Sequence, residues 1–204
     1  MCAITASFDK SKLKELYELN AYRGELSYSL SSFTYTNYLT NDIKLNVLMQ
    51  DEGKMPDSLI DNFPGDGKFF IAHSQAPTAS KNNIHPAVHG DCMLWHNGII
   101  KQKTLSEGTW DTLWLLEQVT NYGWSALSRI DGTMACMMYN SSQLFVFRNE
   151  IAPIFYDKDF NFSSTKMKSG KELPPNKVFK LNLSYRTMEP IAYFETLENP
   201  YYIT

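Results

Sequence analysis

Position 2 of the chain is a cysteine. A small residue there is compatible with removal of Met1, and the processed chain then starts with a residue carrying both a thiol and a free α-amine. An α-amine titrates at about 7.7–8.0, so part of it is neutral near pH 7 and able to take a proton. The thiolate is the reactive form of cysteine and has to be generated locally. A single residue, Cys2, can thus supply nucleophile and general base together. The plain alternative is a small buried residue near a strand end.

A second group of interest is Trp95-His96-Asn97-Gly98-Ile99-Ile100. The Asn97 amide and the Gly98 backbone N–H can point at one spot, which is how an oxyanion hole is built. Asn-Gly is also the strongest short hairpin signal, so a turn competes with this assignment. Further upstream, a strand runs out into the polar loop His73-Ser74-Gln75-Ala76-Pro77-Thr78, where His73, Gln75 and Thr78 are candidate ligand contacts. Asp111 opens a helix and suits either a substrate ammonium or the helix dipole. All four histidines and Cys92 fall between positions 73 and 96, and His85 and His89 have the i,i+4 spacing of a helical zinc site. Pro86 and Gly90 argue against a helix there, so no metal and no cofactor is expected.

Elements must position these residues. Residues 2–8 and 26–38 are expected as strands, with a helix between them capped by Asp9 or Ser11 and ending at Arg23-Gly24. Residues 51–67 read as surface loop. Residues 68–73 and 92–95 are short apolar runs expected as buried strands, joined by a stretch with Pro77, Pro86 and Gly90 expected to be loop throughout. Helices are expected over 110–121 and 124–130, followed by strands at 133–139, 143–148, 153–156, 177–183 and 189–194. Cys92 and Cys136 lie in apolar runs and are expected as buried, inert thiols. Many strands with few helices imply an α+β domain of packed antiparallel sheets.

Composition bounds the function. The chain has 204 residues, 43% hydrophobic and 20% charged, with a net charge of −3. That suits one folded domain over 1–204, and no basic tract supports nucleic-acid or anionic-membrane partners. Three cysteines are too few for a disulfide scaffold, and no secretory signal or membrane run is visible, so a reducing, cytoplasmic setting is expected.

The motifs also occur in a telling order. Met1-Cys2-Ala3-Ile4, Tyr22-Arg23-Gly24, His73 to Thr78, His85-Pro86, His96 to Ile100, Asp111-Thr112-Leu113 and Arg148-Asn149…Pro153-Ile154-Phe155-Tyr156 follow one another. The chain resembles the glutaminase domain of class II glutamine amidotransferases, which are N-terminal-nucleophile hydrolases. It is most similar to the domain of glucosamine-6-phosphate synthase and is also similar to that of asparagine synthetase. The resemblance implies a four-layer α/β/β/α sandwich and hydrolysis of the glutamine side-chain amide through a Cys2 thioester. It further implies Asn97 and Gly98 as oxyanion hole, Asp111 on the substrate ammonium, Thr78 on its carboxylate, and Arg23 as organiser of the site. Two positions depart from the family pattern. Gln75 stands where the family has arginine, and Leu26-Ser27 where it has Asp-Ser. A neutral Gln75 cannot neutralise a carboxylate, so the alternative is a catalytically degenerate relative with a binding or regulatory role. No pyrophosphatase or Walker loop is present, so either an acceptor enzyme is expected on a separate chain or there is none.

Overall fold

The computed structural model describes residues 2–64, 66–77, 83–101, 105–106 and 108–197. The first elements are β1 (Ala3–Ser7), α1 (Lys10–Leu19), β2 (Ser27–Asn37), β3 (Asp42–Glu52) and β4 (Phe69–Gln75). Then come β5 (Ala87–His89), β6 (Cys92–Ile100), α2 (Asp111–Tyr122), β7 (Gly132–Asn140) and β8 (Gln143–Arg148). The chain continues with β9 (Phe155–Tyr156), β10 (Phe162–Ser163), β11 (Lys171–Glu172), β12 (Lys177–Asn182) and β13 (Thr187–Tyr193).

The strands form two antiparallel sheets, in the orders β11-β9-β10-β1-β4-β2-β3 and β13-β12-β8-β7-β6-β5. Side chains alternate between the faces of a strand, and this period sorts the core into three layers. Between the sheets lie Ile4, Phe33, Phe69, Ile71, Trp95, Ala135, Met137 and Phe162. On the outer face of the first sheet, Leu13 and Tyr17 of α1 pack on Leu30, Phe70 and Ala72. On the outer face of the second, Leu115, Leu116 and Val119 of α2 pack on Leu94, Cys136 and Met138. The expected α/β/β/α layering is therefore observed.

Local chemistry explains the helix ends. The Asp9 carboxylate accepts the Lys12 N–H at 2.9 Å and starts α1. The helix stops at Leu19, four residues before the expected Arg23-Gly24. Asn20 closes it, with backbone N–H bonds to Leu16 and Tyr17 and a side-chain bond to the Leu16 carbonyl at 2.8 Å. Ala21–Arg23 then forms a 3-10 turn.

Other expectations need correcting. The stretch expected as loop throughout contains β5, which pairs with β6 through Ala87↔Leu94. Strand β6 runs on to Ile100, well past the expected end at 95. Strands β3, β10 and β11 have no counterpart in the sequence reading, while the 3-10 helix Trp124–Arg129 meets the expected segment at 124–130.

Trp95 is fully buried between the sheets, with its ring edge-on to Phe33 at 6.1 Å. Trp95→Ala should cost about 3–5 kcal/mol of stability, because so large a void cannot collapse within a two-sheet core. Urea unfolding of the two chains checks this, and a loss under about 1 kcal/mol would show that the layer repacks freely.

Candidate active site

Antiparallel pairing puts Ala3 of β1 opposite Ser74 of β4, so Cys2 falls beside the end of β4 at Gln75 and Ala76. The Cys2 carbonyl accepts the Arg23 Nε–H at 3.0 Å, which ties the 3-10 turn to the head of β1. The turn reaches that position because residue 24 lacks a side chain. A Cβ on Gly24 would lie 2.3 Å from the Ala76 nitrogen.

Cys2 borders two cavities. One is a cleft of about 600 Å³ lined by Cys2, Gln75, His85, Gly98, Trp110 and Asp111, among others. The second, about 190 Å³, is bounded by Cys2, Arg23, Asn97, Gly98 and the apolar Ile99 and Pro153. The structure thus gathers Cys2, Gln75, Gly98 and Asp111 around one cleft, with Asn97 and Arg23 on the adjoining cavity. Thr78 lies outside the described residues.

Asn97 and Gly98 do not form a hairpin turn. They sit inside β6, opposite Ala135 and Met134 of β7. The strand period sends Asn97 between the sheets, where its Nδ2 donates to Ser164 Oγ at 3.4 Å. That same oxygen accepts the Ile4 N–H at 2.9 Å, so one hydroxyl links the candidate oxyanion donor to β1. Gly98 has φ +155°, and a Cβ there would meet the Thr133 carbonyl oxygen at 1.9 Å. Only glycine fits so close a strand approach.

Asp111 is held before any ligand arrives. Its Oδ2 accepts the Ile100 N–H at 3.1 Å and its Oδ1 the Thr112 N–H at 2.8 Å. It therefore joins β6 to the first turn of α2.

A buried polar chain forms part of the cleft wall. Gln75 Oε1 meets Ser27 Oγ at 2.8 Å and His85 Nδ1 at 3.3 Å. His85 Nε2 meets Thr112 Oγ1 at 3.1 Å, which in turn meets His96 Nδ1 at 3.2 Å. His96 Nε2 donates to the Thr133 carbonyl at 3.0 Å. His73 lines neither cavity. It stacks on His85 with ring centres 4.0 Å apart, and its Nε2 lies 3.2 Å from the His96 carbonyl. His89, by contrast, is exposed on β5 with Nδ1 3.8 Å from Glu117. His85 and His89 therefore do not act as a pair. Sequence reasoning missed Thr112, Thr133 and Ser164, whose roles arise only from strand and helix packing.

Burial raises the Cys2 thiol pKa above its ordinary value. The Asp111 charge adds to that effect, while the Ala76 backbone amide and the Arg23 guanidinium oppose it. The thiol is therefore held protonated at neutral pH and needs a base. Cys136 is fully buried and its pKa is pushed well up by burial. Cys92 departs from expectation, being only partly buried at the start of β6.

Comparison with solved structures places this architecture. Glutamine phosphoribosylpyrophosphate amidotransferase from B. subtilis, solved with ADP and GMP, superposes with a TM-score of 0.63 at 15% identity over 94% of this chain. The chain has the same fold. A second structure, described as the allosteric regulatory enzyme of purine biosynthesis, matches with a TM-score of 0.60, also at 15% identity and 94% coverage. The chain spans about half the length of each, 49% and 48% respectively. No family model and no curated protein matches the sequence. The fold is thus the α+β sandwich of the N-terminal-nucleophile type that the motif order implies.

Burial lowers the His73 pKa from 6.5 to about 3. The folded state keeps His73 neutral while the unfolded chain takes up a proton below about 6.5. Its contribution to stability is therefore present above pH 6.5 and lost as pH falls towards 3, at a limiting slope of about 1.4 kcal/mol per pH unit. His85 shifts the same way for the same reason. Urea midpoints measured from pH 7 to pH 4 should fall steeply, and His73→Asn should flatten the decline. An unchanged slope in that variant would show that His73 is not held neutral by the fold.

Proposed function

We propose that the chain is an amide hydrolase acting on the side-chain carboxamide of a glutaminyl unit, with Cys2 as N-terminal nucleophile. The observation that carries this reading is Cys2 at the head of β1, opening into the cleft that also holds Gly98 and Asp111. The fold shared with amidotransferases supports the general class.

The residues suit the following steps. Removal of Met1 frees the Cys2 α-amine. That amine takes the thiol proton as sulfur attacks the amide carbon. The carbonyl oxygen becomes an oxyanion, stabilised by the Asn97 amide and the Gly98 N–H. The C–N bond then breaks, the amine returns its proton to the leaving nitrogen, and ammonia departs. A γ-glutamyl thioester remains on Cys2. Water attacks it with the same amine as base, releasing the carboxylic acid and restoring the thiol. Asp111 binds the substrate ammonium and Arg23 fixes the Cys2 carbonyl. Residues 1–204 act as one glutaminase-type domain, and the ammonia it releases is available to an acceptor enzyme. Gln75, a neutral group on the cleft wall, favours a second reading in which the fold is kept for binding or regulation without turnover.

Two measurements test the proposal. Intact mass of natively expressed protein should show loss of one methionine, and a glutamine-like electrophile should label Cys2 ahead of the partly exposed Cys92. A retained Met1, or label on Cys92 alone, would favour the non-catalytic reading. Asn97→Ala should lower ammonia release by about 10²–10³ while leaving the circular-dichroism spectrum intact. Unchanged turnover would remove Asn97 from the oxyanion hole.

A further inference from the structure

The polar chain in the cleft wall fixes what Gln75 presents to a ligand. Its links run Gln75–His85–Thr112–His96–Thr133, four hydrogen bonds in series. The Thr133 carbonyl can only accept, so His96 Nε2 carries a proton. With Nδ1 bare, His96 takes the Thr112 hydroxyl proton at 3.2 Å, the shorter of two contacts, since Asp111 Oδ1 lies 3.4 Å from the same hydroxyl. Thr112 Oγ1 in turn accepts from His85 Nε2–H. A neutral His85 has a bare Nδ1, which needs a donor, and only an amide N–H of Gln75 supplies one. With a carbonyl oxygen at that position the chain would be one proton short, and an imidazolium would have to stand among buried groups. His85 is 3% exposed and His96 2% exposed, and an unpaired charge is costly there. Turning the amide costs far less, because Ser27 Oγ accepts as readily as it donates.

The Gln75 nitrogen therefore faces His85 and Ser27, and its carbonyl oxygen takes the remaining amide position, to which the structure gives no hydrogen bond among the described residues. Gln75 and Asp111 both line the cleft. Among the described lining residues there is one carboxylate and no lysine or arginine. Such a wall suits a ligand that brings a cation and no anion. A free amino acid brings both.

We propose that the cleft recognises a glutaminyl unit with a free α-ammonium and a capped α-carboxyl, as in glutaminamide or a peptide's first residue, in preference to free glutamine. This rests on the amide-hydrolase reading and names its substrate class. The ammonium meets Asp111 and the Gln75 carbonyl oxygen, while a free carboxylate meets acceptors with no counter-charge among the described lining residues.

The test separates binding from turnover. Titration calorimetry at pH 7 on the full chain carrying Cys2→Ala compares L-glutaminamide with L-glutamine. Glutaminamide should bind at least about tenfold tighter, a difference of about 1.4 kcal/mol. Asp111→Asn should shrink the gap, and Gln75→Arg should reverse it by favouring glutamine. The primary comparison leaves Gln75 and Asp111 unchanged, so it stands even if Gln75→Arg does not fold. Equal or tighter binding of glutamine, or no binding of either ligand, would overturn the proposal. Ammonia release by the Cys2 enzyme is scored separately. Preferential binding of glutaminamide without turnover would sink the hydrolase reading and leave the substrate class standing.

Discussion

Polar side chains between two packed sheets are costly unless they find hydrogen-bond partners, and much of this site follows from that constraint. The inward positions of β4 run Phe69, Ile71, His73 and Gln75, apolar at one end and polar at the other. On β6 Trp95 is followed inward by Asn97, while His96 turns outward towards α2. The change from apolar to polar occurs at the same end of both sheets. At that end β1 begins and α2 starts, so Cys2 and Asp111 meet there. Gln75, His85, His96 and Asn97 each draw in a partner from another element. Ser27 comes from β2, Thr112 from α2, Thr133 from β7, and Ser164 from just beyond β10.

The consequence for chemistry is a site set by position more than by charge. Cys2 is buried and its thiol is raised, so the environment favours the neutral nucleophile. His73 and His85 are buried and lowered, so they are poor proton carriers near neutral pH. No hydrogen bond joins a histidine to Cys2 among the described residues. On the proposed reading the base is the α-amine that loss of Met1 would free, a group that shares its carbon skeleton with the thiol and needs no second side chain to aim it.

Legibility of the sequence followed how local each signal was. Asp9, Leu13, Leu16 and Tyr17 specify α1 within one short stretch, and the observed cap and packing agree with them. Helix α2 was legible for the same reason. Strand β3 was not, because it is an edge strand carrying Asp42, Lys44, Asp51 and Glu52, and pairing with β2 is what makes it a strand. Asn97-Gly98 shows the opposite failure. Its local rule favours a turn, yet pairing with β7 keeps it in a strand interior. Cys2, Gln75, Gly98 and Asp111 could be picked out by residue type and order. Ser164 could not, since a serine far along the chain carries no mark of the β1 and β6 groups it joins.

Asp111 shows how fold stability and ligand recognition share one residue. Its two oxygens accept the Ile100 and Thr112 N–H groups, which satisfies a donor in the first turn of α2 and pins β6 to the helix. A carboxylate offers about four acceptor sites, and besides those two bonds Oδ1 lies 3.4 Å from the Thr112 hydroxyl, so Oδ2 keeps the freer side. The backbone contacts orient the group, and the unused lone pairs on the cleft side are available to an ammonium without rearrangement. The helix N-terminus favours a negative charge at that point. No lysine or arginine stands among the described residues that line the cleft, and on the proposed reading a ligand's own ammonium is the group that completes the Asp111 site.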